Sequence, residues 1–417
     1  MGIPTLQRRA ERRGLRLWPV GRVLTLSFAA AVLVAAAVFY TGWDLLGARE
    51  LKPEHRIDSK TLFDLVKLSF GVVAGAGALV ALVVAYRRQR VDEDGALREA
   101  TRLHTERFTT AVSQLGEESA AVRLGGVHAL AGLADDAPTR ALRQTCIDVL
   151  CSYLRLPYTA EPDLPADDAG ARHAYLALRE VRHTVVRLLR DHLRLASEHP
   201  HSWQGHDFDF TNVTFDGGDF SGAVFAGGIV SFGGATFAGG TVDFNKAVFA
   251  SGTASFGGAT FAGGTVSFNW AEFSSGTVSF GGATFAGGTV SFNKAVFASG
   301  IVSFGGATFA GGTVDFSGAE FSGSTVSFGG AEFSGGTVDF GRWAISQFIA
   351  FSTDFSGGTI DFSGADFSGG TVNFGGADFS GGTVDFSDAD GTAPSGLIPP
   401  TGSTLPTGLL LPSAWSI

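Results

Sequence analysis

GGATFAGGTVDFNKAVFASGTASF, residues 233–256, decides how this chain folds. Its phenylalanines, Phe237, Phe244, Phe249 and Phe256, stand alternately seven and five residues apart, and the rhythm continues through Phe261 and Phe268 to Phe340. A small or branched residue stands two positions before each ring: Ala235, Val242, Ala247. In a strand, residues i and i−2 share a face, so each pair points inward together. The remaining positions are Gly, Ser, Thr and Asp, which suit tight corners and a wet exterior. A single coil of this kind cannot bury its own aromatic face. Stacked coils bury a continuous core, so the pattern reads as a β-solenoid with Phe237, Phe244, Phe249, Phe256, Phe261 and Phe268 in that core.

Two coil sizes fit the rhythm: 12 residues with two faces, or 24 with four. The quoted block recurs with close similarity at 257–280, 281–304 and 305–328, which favours 24. Phenylalanine rings, each burying ~150–250 Å², also need a wider interior than a two-faced coil offers. With 24-residue coils, Lys246, Trp270 and Lys294 form a ladder on adjacent rungs, the indole between two amines in cation–π reach. Asn245, Asn269 and Asn293 run beside it. With 12-residue coils, Gly258 and Gly282 come between and the ladder is lost.

DFDFTNVTFDGGDFSGAVF, residues 207–225, and the later ATFAG, AEFSG and ADFSG segments resemble the pentapeptide-repeat family. The resemblance covers residues 206–390 and implies a right-handed quadrilateral β-helix with about twenty residues per coil. The seven-residue faces depart from that pattern by two extra residues, usually drawn from Gly-Gly-Thr-Val. The whole chain is also similar to membrane-anchored pentapeptide-repeat proteins of high-GC bacteria, in keeping with 5 lysines among its 30 basic residues.

Upstream of the repeat the reading is a two-helix transmembrane hairpin followed by an all-α connector. A basic segment, 1–22, precedes an uncharged run, 23–43; a loop, 44–67, leads to a second uncharged run, 68–86. Each run is long enough to cross a bilayer core of ~30 Å. Nine Arg residues outside the two runs face five Lys and Arg in the loop, which places both termini and the solenoid on the cytoplasmic side of the inner membrane. A cleaved signal ending near Ala35-Ala36-Ala37 is the alternative for the first run. Gly71, Gly75 and Ala78 provide small residues at helical spacing, a surface on which a homodimer could form.

Residues 92–198 switch to leucine-spaced helix, with one helix pair similar to a HEAT or armadillo repeat around Asp135-Asp136-Ala137-Pro138. Cys146 and Cys151 project to different sides and are packed or partly exposed thiols rather than a redox pair. The arginines between His173 and Leu195 read as a solvated face, with contact to anionic lipid as the sharper alternative.

Two departures from the repeat remain. Phe340 to Phe355 spans fifteen residues where twelve are expected, with Arg342, Trp343, Phe348 and Ile349 interrupting the polar lattice. These are either apolar residues packed into a repaired insertion or a protruding interaction patch. The tail, 391–417, is expected to be poorly ordered, with Leu409 to Leu411 and Trp415 folding back over the last coil.

No catalytic constellation is present in the sequence. The glycines follow the coil period rather than a phosphate-loop pattern, the serines lack a histidine partner, and His199, His201 and His206 have no ligand set around them. No enzyme activity and no cofactor are expected. The leading expectation is a membrane-anchored scaffold that binds an unidentified protein, with the lipid bilayer as its other partner and no direct nucleic-acid binding. The alternative is an acidic DNA mimic acting on a type II topoisomerase, since residues 206–390 carry net −14. A third reading gives the threonines 241, 253, 265 and 277 one surface-binding column.

Overall fold

A computed structural model describes residues 59–165, 168–341 and most of 343–415, with scattered helical positions between Thr25 and Asp44. The rest of 1–58, together with 166–167, 342, 347–348, 352, 370, 376, 378, 380–382, 399–404, 407 and 416–417, lies outside the described residues. The chain divides into two units, 1–100 and 101–417.

Residues 87–115 contain no proline and one glycine, Gly95, so nothing in them stops a helix. Helix α1 accordingly runs without a break through Ser59–Leu115, where a span, a junction and a connector were expected as separate elements. Among the described residues no helix is long and apolar enough to cross a membrane. That corrects the two-span hairpin. The 68–86 run is one part of a 57-residue helix whose further length carries Arg87, Arg88, Arg90, Asp92, Glu93 and Asp94. The 23–43 run lies mostly outside the described residues.

Three shorter helices follow: α2 (Ala120–Asp135), α3 (Arg140–Leu154) and α4 (Ala169–Leu193). Thr139 and Asp168 cap the last two, each side chain accepting a backbone N–H three residues on, from Leu142 at 3.3 Å and Ala171 at 2.8 Å. Gly126 sets the closest approach in this bundle. A Cβ there would lie 2.7 Å from the Leu115 amide nitrogen and 2.8 Å from the Ala111 carbonyl oxygen, so α2 rests directly on the backbone of α1.

From Phe208 the chain winds into a parallel solenoid. Thr241, Thr265, Thr289, Thr313 and Thr337 pair in register, as do Phe237, Phe261, Phe285 and Phe309, so the coil is 24 residues. The first coil is shorter: Phe215 pairs with Phe237, a step of 22, because 210–225 runs entirely in fives. Each coil has four sides, exemplified by Thr253–Ser255, Thr260–Phe261, Thr265–Ser267 and Glu272–Phe273. The second and third form sheets of 5 and 7 strands. The fourth and first merge into one 11-stranded sheet, because strands such as Glu272–Ser279 run through the corner between them.

Four columns of phenylalanine fill the interior. Rings on successive coils stack nearly parallel: Phe256 on Phe280 at 4.7 Å, Phe237 on Phe261 at 4.7 Å, Phe244 on Phe268 at 4.8 Å, Phe249 on Phe273 at 5.2 Å. Across a coil they meet edge to face, as Phe244 does Phe256 at 6.1 Å. Both geometries suit the ring quadrupole and add about 0.5–1.5 kcal/mol per pair beyond area burial. The six core phenylalanines expected from the sequence are all buried.

The irregular stretch is an insertion of a different size from that expected. Val338 pairs with Val372 and Phe321 stacks on Phe355, so the coil containing it has 34 residues and ten are extra. The fifteen residues replace a five-residue side. The surplus forms an antiparallel hairpin, Trp343–Ser346 with Ile349–Phe351, paired with no other strand among the described residues.

Both ends of the stack are covered. Helices α3 and α4 pack on the first coil, against Phe208–Asp209 and Gly218–Asp219. At the far end Leu409 pairs with Val384, and Trp415 lies against Phe367 and Phe386 at 5.6 and 5.7 Å.

Candidate functional site

The corner between the third and fourth sides is a tight turn of the form Phe-x-x-Ala, closed by the Ala amide on the Phe carbonyl, as Ala271 does on Phe268 at 3.0 Å. Its third residue takes positive φ, which glycine adopts freely. Gly222 and Gly318 stand there on the flanking coils, with φ of 63° and 69°. Between them stand Lys246, Trp270 and Lys294, with φ of 57°, 59° and 55°. Holding a side chain in that region costs about 1–2 kcal/mol per residue. Three consecutive rungs carry that cost.

The asparagine ladder braces the turns. Asn245 Oδ1 accepts from Ser267 Oγ at 2.5 Å and from the Asn269 amide at 3.2 Å; Asn269 Oδ1 repeats this with Ser291 and Asn293 at 2.6 and 3.2 Å. Asn293 Nδ2 ends the series on Asp315 Oδ2 at 2.5 Å. A conformation this well determined by its neighbours can hold strained residues in place. The Lys294 ammonium sits 4.2 Å from the Trp270 ring centroid. Trp270 remains 55% exposed, and Lys246 is exposed one rung before it. The corner therefore presents amine, indole and amine on successive coils.

The charge beside the corner follows the same division. The third-side column reads Asp219, Asp243, Ser267, Ser291, Asp315, Asp339, Asn373 in register. The carboxylates stop on the rungs of Trp270 and Lys294 and return after them. The threonines do not form one column: 241 and 265 lie on the third side, 253 and 277 on the first.

Of the other expected patch, the backbone of Trp343 and Ile349 lies in the two strands of the hairpin, while Arg342 and Phe348 lie outside the described residues.

The helical cap holds a polar cluster that the sequence did not suggest. Asp216 is buried on the first coil and accepts from the hydroxyls of Tyr158 at 2.5 Å and Tyr175 at 2.7 Å. Arg179 and His183 approach at 3.7 and 3.6 Å. Burial works to raise the Asp216 pKa; His183 and the two phenols outweigh it and hold the carboxyl down at about 2. The same burial and carboxylate push Tyr175 up to about 12.

The α4 arginines are not simply a solvated face. Arg182 is buried, donating to the Leu154 carbonyl at 2.7 Å and the Thr214 carbonyl at 2.6 Å, with its guanidinium 4.1 Å from the Tyr158 ring. Arg190 pairs with Asp219, and Arg194 Nε donates to the Ser221 carbonyl at 2.6 Å. They bind α4 to the solenoid. The alternation of charge along α4 could have signalled this only with the first coil's position in hand.

His206 is buried, its Nδ1 2.9 Å from Gln144 Oε1, and burial with Arg140 and Arg143 nearby lowers its pKa to about 4. Among the described residues no three His, Cys, Asp or Glu side chains are placed to hold a metal ion. Cys146 and Cys151 are both buried, which pushes the Cys146 thiol up to about 11 and Cys151 higher still. Thiols so protonated are poor nucleophiles.

Residues 206–248 match a family model described as pentapeptide repeats (9 copies). No curated protein and no solved structure matches the chain.

Proposed function

We propose that this protein is a non-enzymatic scaffold whose β-solenoid exterior binds another protein. The observation that carries the reading is the filled interior: rings stacked 4.7 Å apart, as in Phe285 on Phe309, leave the outside of the coils as the surface offered to other molecules. A repeat stack suits this use, since it holds outward side chains at a fixed pitch on a stiff frame. Attachment to the cytoplasmic face of a membrane is part of the reading, on the strength of the N-terminal arginines alone. Sedimentation of the full-length chain with membranes, and its release by high salt, is the expected result.

The DNA-mimic alternative is not supported. Duplex mimicry needs a continuous acidic stripe, and the carboxylate column is broken at Ser267 and Ser291, on the rungs of Trp270 and Lys294.

The test is site-specific photo-crosslinking of the full-length chain in cells, with the reactive residue placed in turn at Thr289, Thr260, Thr277 and Glu272, one for each side. Discrete protein adducts concentrated on one or two sides are expected. No adduct from any side would overturn the reading.

A further inference from the structure

The corner that bears Lys246, Trp270 and Lys294 changes character along the solenoid axis. On three rungs it carries exposed Lys246, exposed Trp270 and half-buried Lys294, whose ammonium lies over the indole. On the next rung the same edge carries Glu320, exposed on the fourth side, while Asp315 on that rung and Asp339 on the one beyond are turned into their corners, on the Ser317 amide at 2.8 Å and the Gly341 amide at 2.7 Å. The acids on the cationic half are Asp243, whose carboxylate is turned into the corner on the Asn245 amide at 2.7 Å, and Glu272 on the fourth side. The bulky side chains bring no gain to the turn itself, because Gly222 and Gly318 make the same corner in relaxed glycine geometry.

We propose that this edge is a self-association surface, and that its partner is a second copy of the chain lying antiparallel along it. One edge carries both halves of a complementary pair, in line and on adjacent coils. A two-fold axis between the rungs of Lys294 and Glu320 sets Lys294 of each copy opposite Glu320 of the other. The same axis sets each Trp270 opposite the rung of Asp339. Such a contact is isologous and closes as a dimer rather than running on as a filament. A single-stranded nucleic acid would also suit amines and an indole. Its phosphates would meet Glu320 immediately beyond Lys294, the feature that a second copy uses. The inference gives the solenoid exterior one partner and rests on reading that exterior as an interaction surface.

The experiment is sedimentation velocity of the purified full-length protein across concentration and salt. A dimer that weakens as salt rises is expected. Trp270→Gly and Lys294→Glu should each weaken it by roughly tenfold or more, about 1.4 kcal/mol or more. Because glycine relaxes the turn, Trp270→Gly should also melt, at a concentration where both chains are monomers, at the same temperature as wild type or higher, which a merely structural tryptophan would not allow. Lys294→Glu combined with Glu320→Lys should restore the dimer. A wild-type monomer, a dimer indifferent to Trp270→Gly, or a charge swap that restores nothing would overturn the proposal. So would a monomer that binds a single-stranded oligonucleotide. Crosslinks from the four sides to a different protein would persist through any of these results, so the scaffold reading and this one fail separately.

Discussion

Gly264 and Gly258 share almost the same backbone angle, φ of 68° and 66°, in opposite surroundings. A Cβ on Gly264 would lie 2.3 Å from the Gly240 carbonyl oxygen, whereas one on Gly258 would meet nothing within 4 Å. Gly258→Ala should therefore cost only the strain of a left-handed alanine, about 1 kcal/mol, while Gly264→Ala must also displace backbone and should cost more than about 3 kcal/mol. Urea titrations of the two variants check the difference. The distinction was not legible in the sequence, where both glycines belong to the same Gly-Gly doublets. The strain at Lys246, Trp270 and Lys294 was equally hidden, although each occupies a position that is glycine in the flanking coils. The spacing of 24 was legible, because it is written in repeated letters; the handedness of a turn is not.

The elements that join the repeat to its surroundings were the hardest to read, because their meaning depends on what they touch. An arginine series on a helix looks the same whether it faces water or carbonyl oxygens. Only the fold shows Arg182 reaching Leu154 and Thr214. The cap has a pH signature. His206 is held neutral with its pKa lowered to about 4, so between its ordinary value near 6.5 and 4 the unfolded chain binds a proton that the folded chain does not. Stability should be full above pH 6.5 and fall by roughly 3 kcal/mol as the pH drops through 4. His206→Gln should flatten that part of a pH–melting profile. The hairpin was misjudged in size because fifteen was measured against the twelve-residue period rather than the single five-residue side it replaces. Removing residues 342–351 leaves Phe340-Gly341-Ser352-Thr353-Asp354-Phe355, which matches Phe316-Ser317-Gly318-Ala319-Glu320-Phe321 in spacing. The shortened chain should keep its circular dichroism and lose less than about 2 kcal/mol, with buried Thr353 still in the alanine column.

At the scale of the molecule, a stack of parallel coils has two open ends, each a row of unpaired backbone and bare rings. Helices α3 and α4 cover one, Leu409 and Trp415 the other. Trp415 also donates its indole N–H to the Gly391 carbonyl at 3.0 Å. Trp415→Ala should cost about 3 kcal/mol, read by thermal melting, and the uncovered end should bring concentration-dependent light scattering. Between these two covers the rungs are nearly interchangeable. Excising 257–280 would join Phe256 to Gly281, the same pair of residues that meets at Phe280 and Gly281 now. The rod can therefore be lengthened or shortened by the insertion or loss of whole 24-residue blocks. Each event would shift the distance between the two ends by one whole rung while leaving both covers with the neighbours they were made for.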